Sequence, residues 1–474
     1  MELKLIGIED AYECENLVRI FFPGVDLKLQ EKDFVRIEKC ENGVSIEIEA
    51  LGKRLCKTEK KALMDEWELL TFLYDALSEI TSHKPPWGML TGVRPVKLAL
   101  DMLKESHSEA WAENVFTNKF KVSPPKTALA VKTAKVQQKI LLPDDEKSVS
   151  IYAGIPFCPT RCKYCSFVCE GIERHRDLVP KYLQCLLREL DATAEIVSRQ
   201  GLKVKTVYVG GGTPTSLNEE ELFQLVKRLS DNFVSEGCSE FTVEAGRPDT
   251  VTEGKLDVLR QNGVGRISIN PQTLNDEVLK NIGRDHTADD FRESFKKASQ
   301  MKCFDINVDL IAGLPGDDSA SFEKTVREIV SLDPANITLH TLTLKRSANI
   351  YRSKELYDEA DRVKEDVALG NSIFEENGYF PYYLYRQKNT VGGLENTGFS
   401  KKGKEGLYNI FIMDESHSIL ACGAGASSKA VGGRNKIVRS FNYKYPKEYI
   451  DGFQDILERK KNFEKELISS LQER

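Results

Sequence analysis

The sequence predicts an α/β chain with a middle region of six strand–helix units forming a parallel sheet, flanked by an α+β segment and a mixed α/β extension. Three observations predict this. Short β-branched runs recur at about 149–154, 204–209, 240–244, 265–269, 305–311 and 336–342. Between them lie helix-like segments, including 177–200, 219–232, 289–301 and 319–332. Such alternation means parallel strands joined by right-handed crossovers. The third observation is a cysteine loop, Cys158-Pro-Thr-Arg-Cys162-Lys-Tyr-Cys165, directly after the first of these strands. Periodicity alone fits a doubly wound open sheet equally well. The cysteine loop favours a partial (β/α)6 barrel, because barrel enzymes keep their chemistry in loops at the carboxyl ends of strands.

The first segment, residues 1–147, reads as an α+β domain. Strands are expected at 2–8, 34–39 and 43–51, with Glu41-Asn-Gly43 as a hairpin turn. Helical spacing follows at about 60–81, where Leu63, Trp67, Leu70, Leu73, Leu77 and Ile80 share a face. The Pro85-Pro-Trp-Gly88 break precedes two more helices, at 95–104 and 125–140, and Pro143–Lys147 reads as a linker. Leu90-Thr-Gly-Val-Arg-Pro-Val-Lys97 is either a ligand loop or a helix start with a solvated basic face. The middle segment spans 148–345. In the last, 346–474, the rhythm stops: a helix at 354–377, an aromatic run from Tyr379 to Tyr385, a glycine-rich stretch at 421–426 and a charged helical tail at 445–473.

Composition excludes several classes. A net charge of −6 argues against nonspecific nucleic-acid binding. No apolar run reaches the roughly 18 residues needed to cross a bilayer, so no membrane partner is expected. The N-terminus lacks the pattern of a signal peptide. Eleven cysteines, an odd number, with no export signal suit a reducing cytoplasm and metal-bound thiolates better than a disulfide framework.

Three thiolates spaced Cys-x3-Cys-x2-Cys can wrap one metal centre and leave a fourth cluster iron open. The alternative is a structural zinc knot, but zinc sites pair two hooks and no second hook is visible. Cys169 lies four residues past Cys165 and reads as non-ligating. The next strand runs into Gly210-Gly-Gly212-Thr213, a loop whose backbone can approach a ligand closely. It lacks a following Lys-Ser/Thr and is no P-loop. Three further stretches end strands with polar groups: Phe241-Thr-Val-Glu244, Ile267-Ser-Ile-Asn270-Pro-Gln272 with Arg284 beyond it, and Ile306-Asn-Val-Asp309-Leu-Ile311. Asp309 sits in an apolar run, where a charge needs a partner or a task.

These stretches, in this order, resemble the radical S-adenosylmethionine (SAM) superfamily. Within it they are similar to the oxygen-independent coproporphyrinogen III dehydrogenase family. The resemblance implies that Cys158, Cys162 and Cys165 ligate a [4Fe–4S] cluster. It implies that Gly211, Gly212, Thr213, Glu244, Gln272, Arg284, Asp309 and Ile311 bind SAM, with Tyr152 near the cluster in a catalytic position. Two positions depart from the dehydrogenases: Phe167 replaces a fourth cysteine and Gly154 replaces a histidine. Phe167 resembles the haem-chaperone branch. The long N-terminal segment, Leu90–Pro95 and Tyr385-Arg-Gln-Lys-Asn-Thr390 resemble the HemZ-like branch. The implied activity is radical SAM oxidative decarboxylation of coproporphyrinogen III to protoporphyrinogen IX. The alternatives are a haem-binding chaperone and a radical SAM enzyme acting on another tetrapyrrole. The implied partners are the tetrapyrrole and an electron donor such as flavodoxin or ferredoxin. Lys345, Arg346, Arg386 and Lys388 are candidate anchors for substrate carboxylates.

Overall fold

The structure is a computed structural model. It describes all residues except 9–10, 24, 26, 28–31, 41–42, 62–63, 93, 106–107, 142–146, 344–358, 434–435 and 474. Residues 143–146 of the expected linker and the candidate anchors Lys345 and Arg346 lie outside the described residues. Contacts divide the chain into two compact units: Met1–Lys132 with Arg386–Glu395, and Thr133–Tyr385 with Asn396–Arg474. The expected 346–474 segment is therefore shared between them.

The first unit carries a four-stranded sheet in sequence order: β1 (Glu2–Ile6), β2 (Phe34–Cys40), β3 (Gly43–Ala50) and β4 (Lys53–Glu59). β1 pairs parallel to β2, and the other pairs are antiparallel. Val35, Ile37, Ile46 and Ile48 alternate into a core closed by Leu73 and Leu77 of the helix Glu66–Thr81. That helix begins at Asp65, whose side chain and Glu68 form a reciprocal cap, so it starts later than apolar spacing alone implied. The helix Glu109–Asn114 and two further elements lie outside the sequence expectation. One is the helix Tyr12–Phe21, with Cys14, Leu17, Val18 and Phe21 buried. The other is β4, an edge strand with no buried residue and hence no apolar alternation to read.

Residues 386–395 fasten this unit from a distant part of the chain. The fully buried Glu395 carboxylate accepts from Trp87 Nε1 at 2.8 Å and pairs with Lys126. Arg386 donates to the Leu90 and Gly92 carbonyls and lies over the Trp87 ring. Lys388 donates to Asn16 and lies over Tyr12. Both candidate anchors are thus engaged with the unit's own backbone and rings, as is part of the Leu90–Lys97 stretch.

The second unit is built on one eleven-stranded sheet. Its six expected strands appear within about two residues as β5 (Ser148–Ile155), β8 (Lys203–Gly211), β9 (Glu240–Glu244), β10 (Arg266–Ser268), β11 (Asp305–Ala312) and β12 (Asn336–Thr341). The short strands β6 (Phe157–Cys158) and β7 (Glu170–Gly171) pair only with each other. The six long strands pair in parallel in chain order. The later chain extends this sheet at both ends. β13 (Phe380–Arg386) and β14 (Glu395–Ser400) lie beyond β12, with β14 antiparallel to it. β15 (Ser418–Cys422), parallel to β5, is followed by β16 (Ser427–Val431) and β17 (Ile437–Phe441).

The crossover helices are amphipathic and cover one face. Val179–Gln200 buries Leu183, Leu186 and Leu190, and Glu219–Phe233 buries Leu222, Leu225, Val226 and Leu229. Asn218 caps the latter helix and Glu221 returns the bond. Asn218→Ala should lower stability by about 1 kcal/mol, readable as a shifted urea midpoint at unchanged slope. A buried charge cluster ties the C-terminal helix Phe453–Gln472 to this layer. Glu189 accepts from Tyr449, Asn442 and Gly423 N–H, and Lys460 lies 3.1 Å away. Among the described residues, no helix is long and apolar enough to cross a membrane.

Candidate functional site

The long parallel strands alternate in chemistry. On β11, Ile306, Val308 and Leu310 are buried and alternate with Asn307 and Asp309. On β12, Ile337 and Leu339 alternate with Thr338 and His340, and Leu339 meets the helix Ala360–Glu376 at Gly370. The apolar side chains thus lie under the helices. The opposite face is polar, and its carboxyl end holds the loops singled out above, where α/β sheets bind ligands.

The cysteine loop leaves β5 through Pro156 and is closed at its base by β6 and β7, which pair Phe157 with Glu170 and Cys158 with Gly171. This closure brings Cys169 back to the start of the loop. Its thiol hydrogen-bonds with Cys158 and Cys165, which pushes its own proton affinity up. The same bond holds Cys165 down to about 6 against the effect of burial, with Phe167 N–H, Arg161 and Arg284 assisting. It also lowers Cys158, where Thr213 and the Arg247 charge assist, and burial and Cys165 oppose. Cys162 lies instead with Arg284 and Tyr164. The three expected ligands therefore share one loop without converging. Among the described residues, no three His, Cys, Asp or Glu side chains are gathered as a metal site. The donor set still suits an iron–sulfur cluster. It offers three thiols in one short closed loop, two of them biased toward thiolate, the form that binds iron. Phe167, two residues beyond Cys165, is 66% exposed.

The glycine turn abuts this loop. Gly211 has φ of 115°, and a Cβ on Gly212 would lie 2.6 Å from Phe157 O and 2.8 Å from Cys158 Sγ. Glycine is required at both by conformation and contact. Gly212 N–H and Thr213 N–H donate to the Ile155 and Phe157 carbonyls, and Thr213 Oγ1 lies 3.4 Å from Cys158 Sγ. An ammonium bound here would need acceptors, and these two N–H groups already serve the protein.

Beside the turn, Tyr152 on β5 stacks between strands with Tyr208 on β8 and with Tyr408, their ring centroids 4.4–6.4 Å apart. Tyr208 donates to Glu244 Oε1 at 2.6 Å. Burial raises the Glu244 carboxyl to about 7; the Tyr208 bond lowers it and the Asp309 charge raises it. An unfolded glutamate ionises near pH ~4.3. The folded chain thus holds the extra proton between about 4.3 and 7, and this contribution to stability falls as pH rises through that window. In Glu244→Gln that fall should disappear. The stability difference between wild type and variant, measured by urea unfolding at pH 5 and pH 8, should therefore change with pH.

Asp309 is the best-satisfied acid of the site. It accepts from Asn270 Nδ2 and Asn307 Nδ2, both at 2.8 Å, and His340 Nε2 lies 3.7 Å away. Burial pushes its carboxyl up, but His340, Asn307 and Thr338 together hold it below the usual range. Gln272 has φ of 71°, a strained region for a side chain. Backbone bonds to Asp309 O and from Ile311 N–H hold it there, which also sets Ile311 beside it. Gln272 Oε1 and Arg284 Nε are buried without hydrogen-bond partners. Arg284 Nη1 donates to the Asn270 carbonyl, and its guanidinium faces Cys162 and Tyr164. Contacts link the cysteine loop through Arg284 and Asn270 to Asp309, and Glu244 through the glycine turn to Cys158, and the Asp309 charge acts on Glu244 between the two sets. They bring together the expected SAM residues, with Tyr152 reaching them through Tyr208.

Sequence analysis assigned no site role to Tyr208, Tyr408 or His340. Tyr208 and His340 lie on the polar face of their strands, so the two-residue alternation carried the signal. Tyr408 sits on the helix Leu407–Asp414, about 200 residues after Tyr208, and had no local signal.

Residues 152–329 match the family model described as the radical SAM superfamily. The chain is 35% identical to the "oxygen-independent coproporphyrinogen-III oxidase-like protein HemZ" of Bacillus subtilis (strain 168), covering 97% of each chain. It is 32% identical to the heme chaperone HemW of the same organism, over 64% of this chain and 75% of that one. Among solved structures, the coproporphyrinogen III oxidase HemN from Escherichia coli, described as a radical SAM enzyme, aligns with a TM-score of 0.53. The alignment covers 68% of this chain and 73% of that one at 21% identity, a likeness of fold.

Proposed function

Because the chain belongs to the radical SAM superfamily, in the HemZ-like branch of the oxygen-independent coproporphyrinogen III dehydrogenase family, we propose that it converts propionate side chains of coproporphyrinogen III to vinyl groups. Each conversion removes one hydrogen atom, carbon dioxide and one electron that passes to an acceptor, and two give protoporphyrinogen IX. The observation that carries this reading is end-to-end similarity to HemZ, N-terminal unit included. HemW covers only 64% of the chain.

The cofactors of the superfamily are a [4Fe–4S] cluster and SAM. Cys158, Cys162 and Cys165 would hold the first. Gly211, Gly212, Thr213, Glu244, Gln272, Arg284, Asp309 and Ile311 would hold the second. When bound, this pair supplies a 5′-deoxyadenosyl radical able to take hydrogen from an unactivated carbon. The chain's own work is placement and exclusion of water. Asp309 and Glu244 offer acceptors to hydroxyl or ammonium groups, and Arg284 offers an N–H that has no other partner. The Tyr152–Tyr208–Tyr408 stack forms an aromatic wall beside them. Reducing equivalents would come from a small carrier such as flavodoxin or ferredoxin in the cytoplasm.

A second reading, a haem-carrying chaperone, is favoured by Phe167 and by the HemW similarity. Anaerobic incubation of reconstituted protein with SAM, reductant and coproporphyrinogen III separates the two. The dehydrogenase reading expects protoporphyrinogen with stoichiometric CO2. Stoichiometric haem binding without either product would replace it with the chaperone reading.

A further inference from the structure

Arg247 follows β9 in the stretch Glu244-Ala-Gly-Arg247-Pro248-Asp249 and is 2% exposed. A guanidinium buried to this degree is costly unless its donors are matched. Here all three nitrogens are. Nε and Nη2 meet the two oxygens of Asp249 at 3.0 and 3.1 Å. Nη1 meets Thr160 Oγ1 at 3.0 Å and the Thr160 carbonyl at 3.3 Å. Thr160 lies inside the cysteine loop, between Cys158 and Cys162. The loop is also held by Lys163 N–H to the Ile282 carbonyl at 2.9 Å, with Thr160 Oγ1 3.4 Å from the Gly283 carbonyl.

We infer that Arg247 is a positioning residue for the cysteine loop: the fork that Asp249 orients fixes the loop's backbone at Thr160 and keeps a permanent positive charge against the loop two residues from Cys158. The two effects rest on different properties of the side chain. Fixing Thr160 needs the planar, multi-donor guanidinium; a lysine ammonium cannot hold Asp249 side-on and reach both Thr160 oxygens. The charge needs only a cation. The cation lies against Thr160, two residues from Cys158. Beside a bound cluster it would stabilise the added electron and raise the reduction potential. Asp249 is 27% exposed through its side chain, so its countercharge is partly screened by water while Arg247 is not. The inference deepens the proposed function and rests on the cluster being held by this loop.

The test uses full-length protein and the variants Arg247→Lys and Arg247→Met. In protein stripped of iron by chelator, amide exchange at residues 159–166 should rise about tenfold or more in both variants, with the sheet unchanged, since a charge-assisted bond is lost in each. In anaerobically reconstituted protein, the cluster midpoint potential should fall in Arg247→Met and stay near wild type in Arg247→Lys. Unchanged exchange, or a lysine that protects the loop as well as arginine, overturns the fixing role. A methionine variant with the wild-type potential overturns the charge role. Should Arg247→Met not fold, Asp249→Asn keeps the cation, loosens the fork and must show the same faster exchange. Wild-type protein that takes up no iron would strike the proposed function and leave the exchange result to be judged by itself.

Discussion

Cys162→Ala is expected to abolish the brown chromophore of anaerobically reconstituted protein and, with it, all cleavage of SAM. The effect is all-or-none because three thiols are the fewest that hold a cubane while leaving one iron for SAM. Cys162 is also the most informative of the three. Cys158 and Cys165 are both bonded to the Cys169 thiol, so a variant of either leaves a neighbouring sulfur that can stand in. Cys162 lies with Arg284 and Tyr164. Iron and sulfide content, absorbance near the thiolate-to-iron band and 5′-deoxyadenosine production check the outcome together. Full cluster content in Cys162→Ala, with loss in Cys169→Ala, would replace Cys162 by Cys169 in the ligand set.

Asp309→Ala should keep the cluster and weaken SAM binding by about tenfold or more, the scale of one lost charge-assisted hydrogen bond. Its carboxylate is held ionised, by His340 above all, within a buried polar face, so it meets a ligand hydroxyl or ammonium as a full charge. The variant also leaves Asn270 and Asn307 without their shared acceptor. Part of the loss would then be positional, and Asp309→Asn separates the causes. It keeps the shape and one acceptor oxygen but removes the charge. Equilibrium binding of SAM to reconstituted variants, followed by the change in the cluster's spectrum, gives the measurement. Affinity unchanged in both would remove Asp309 from the site.

Much of this was legible from local chemistry. The six parallel strands announced themselves through β-branched runs, and their ends through Cys158, Gly210–Gly212, Glu244, Asn270 and Asp309. Strand period, a glycine turn and a capping box such as Asn218 with Glu221 are encoded within a few residues, where backbone sterics and nearest hydrogen bonds decide them. Alternation along β11 and β12 also marked a polar face, although it names no partner for each side chain. Arg386 and Lys388 show the limit. As basic residues in an aromatic run they suggested substrate anchors, and folding engaged them with Leu90, Gly92 and Asn16.

The sequence alone determined the order of the six strand–helix units, the residues of the cysteine loop and the identity of most groups that surround it. Only the tertiary structure decided that Cys169 returns to Cys158, that Tyr408 stacks on Tyr208, and that Arg247 grips Thr160. It also decided that strands from beyond residue 380 lengthen the same sheet at both ends. Each of these depends on residues brought together by closure of long loops, and the stabilisation comes from burial and matched hydrogen bonds. Neither leaves a trace in local spacing.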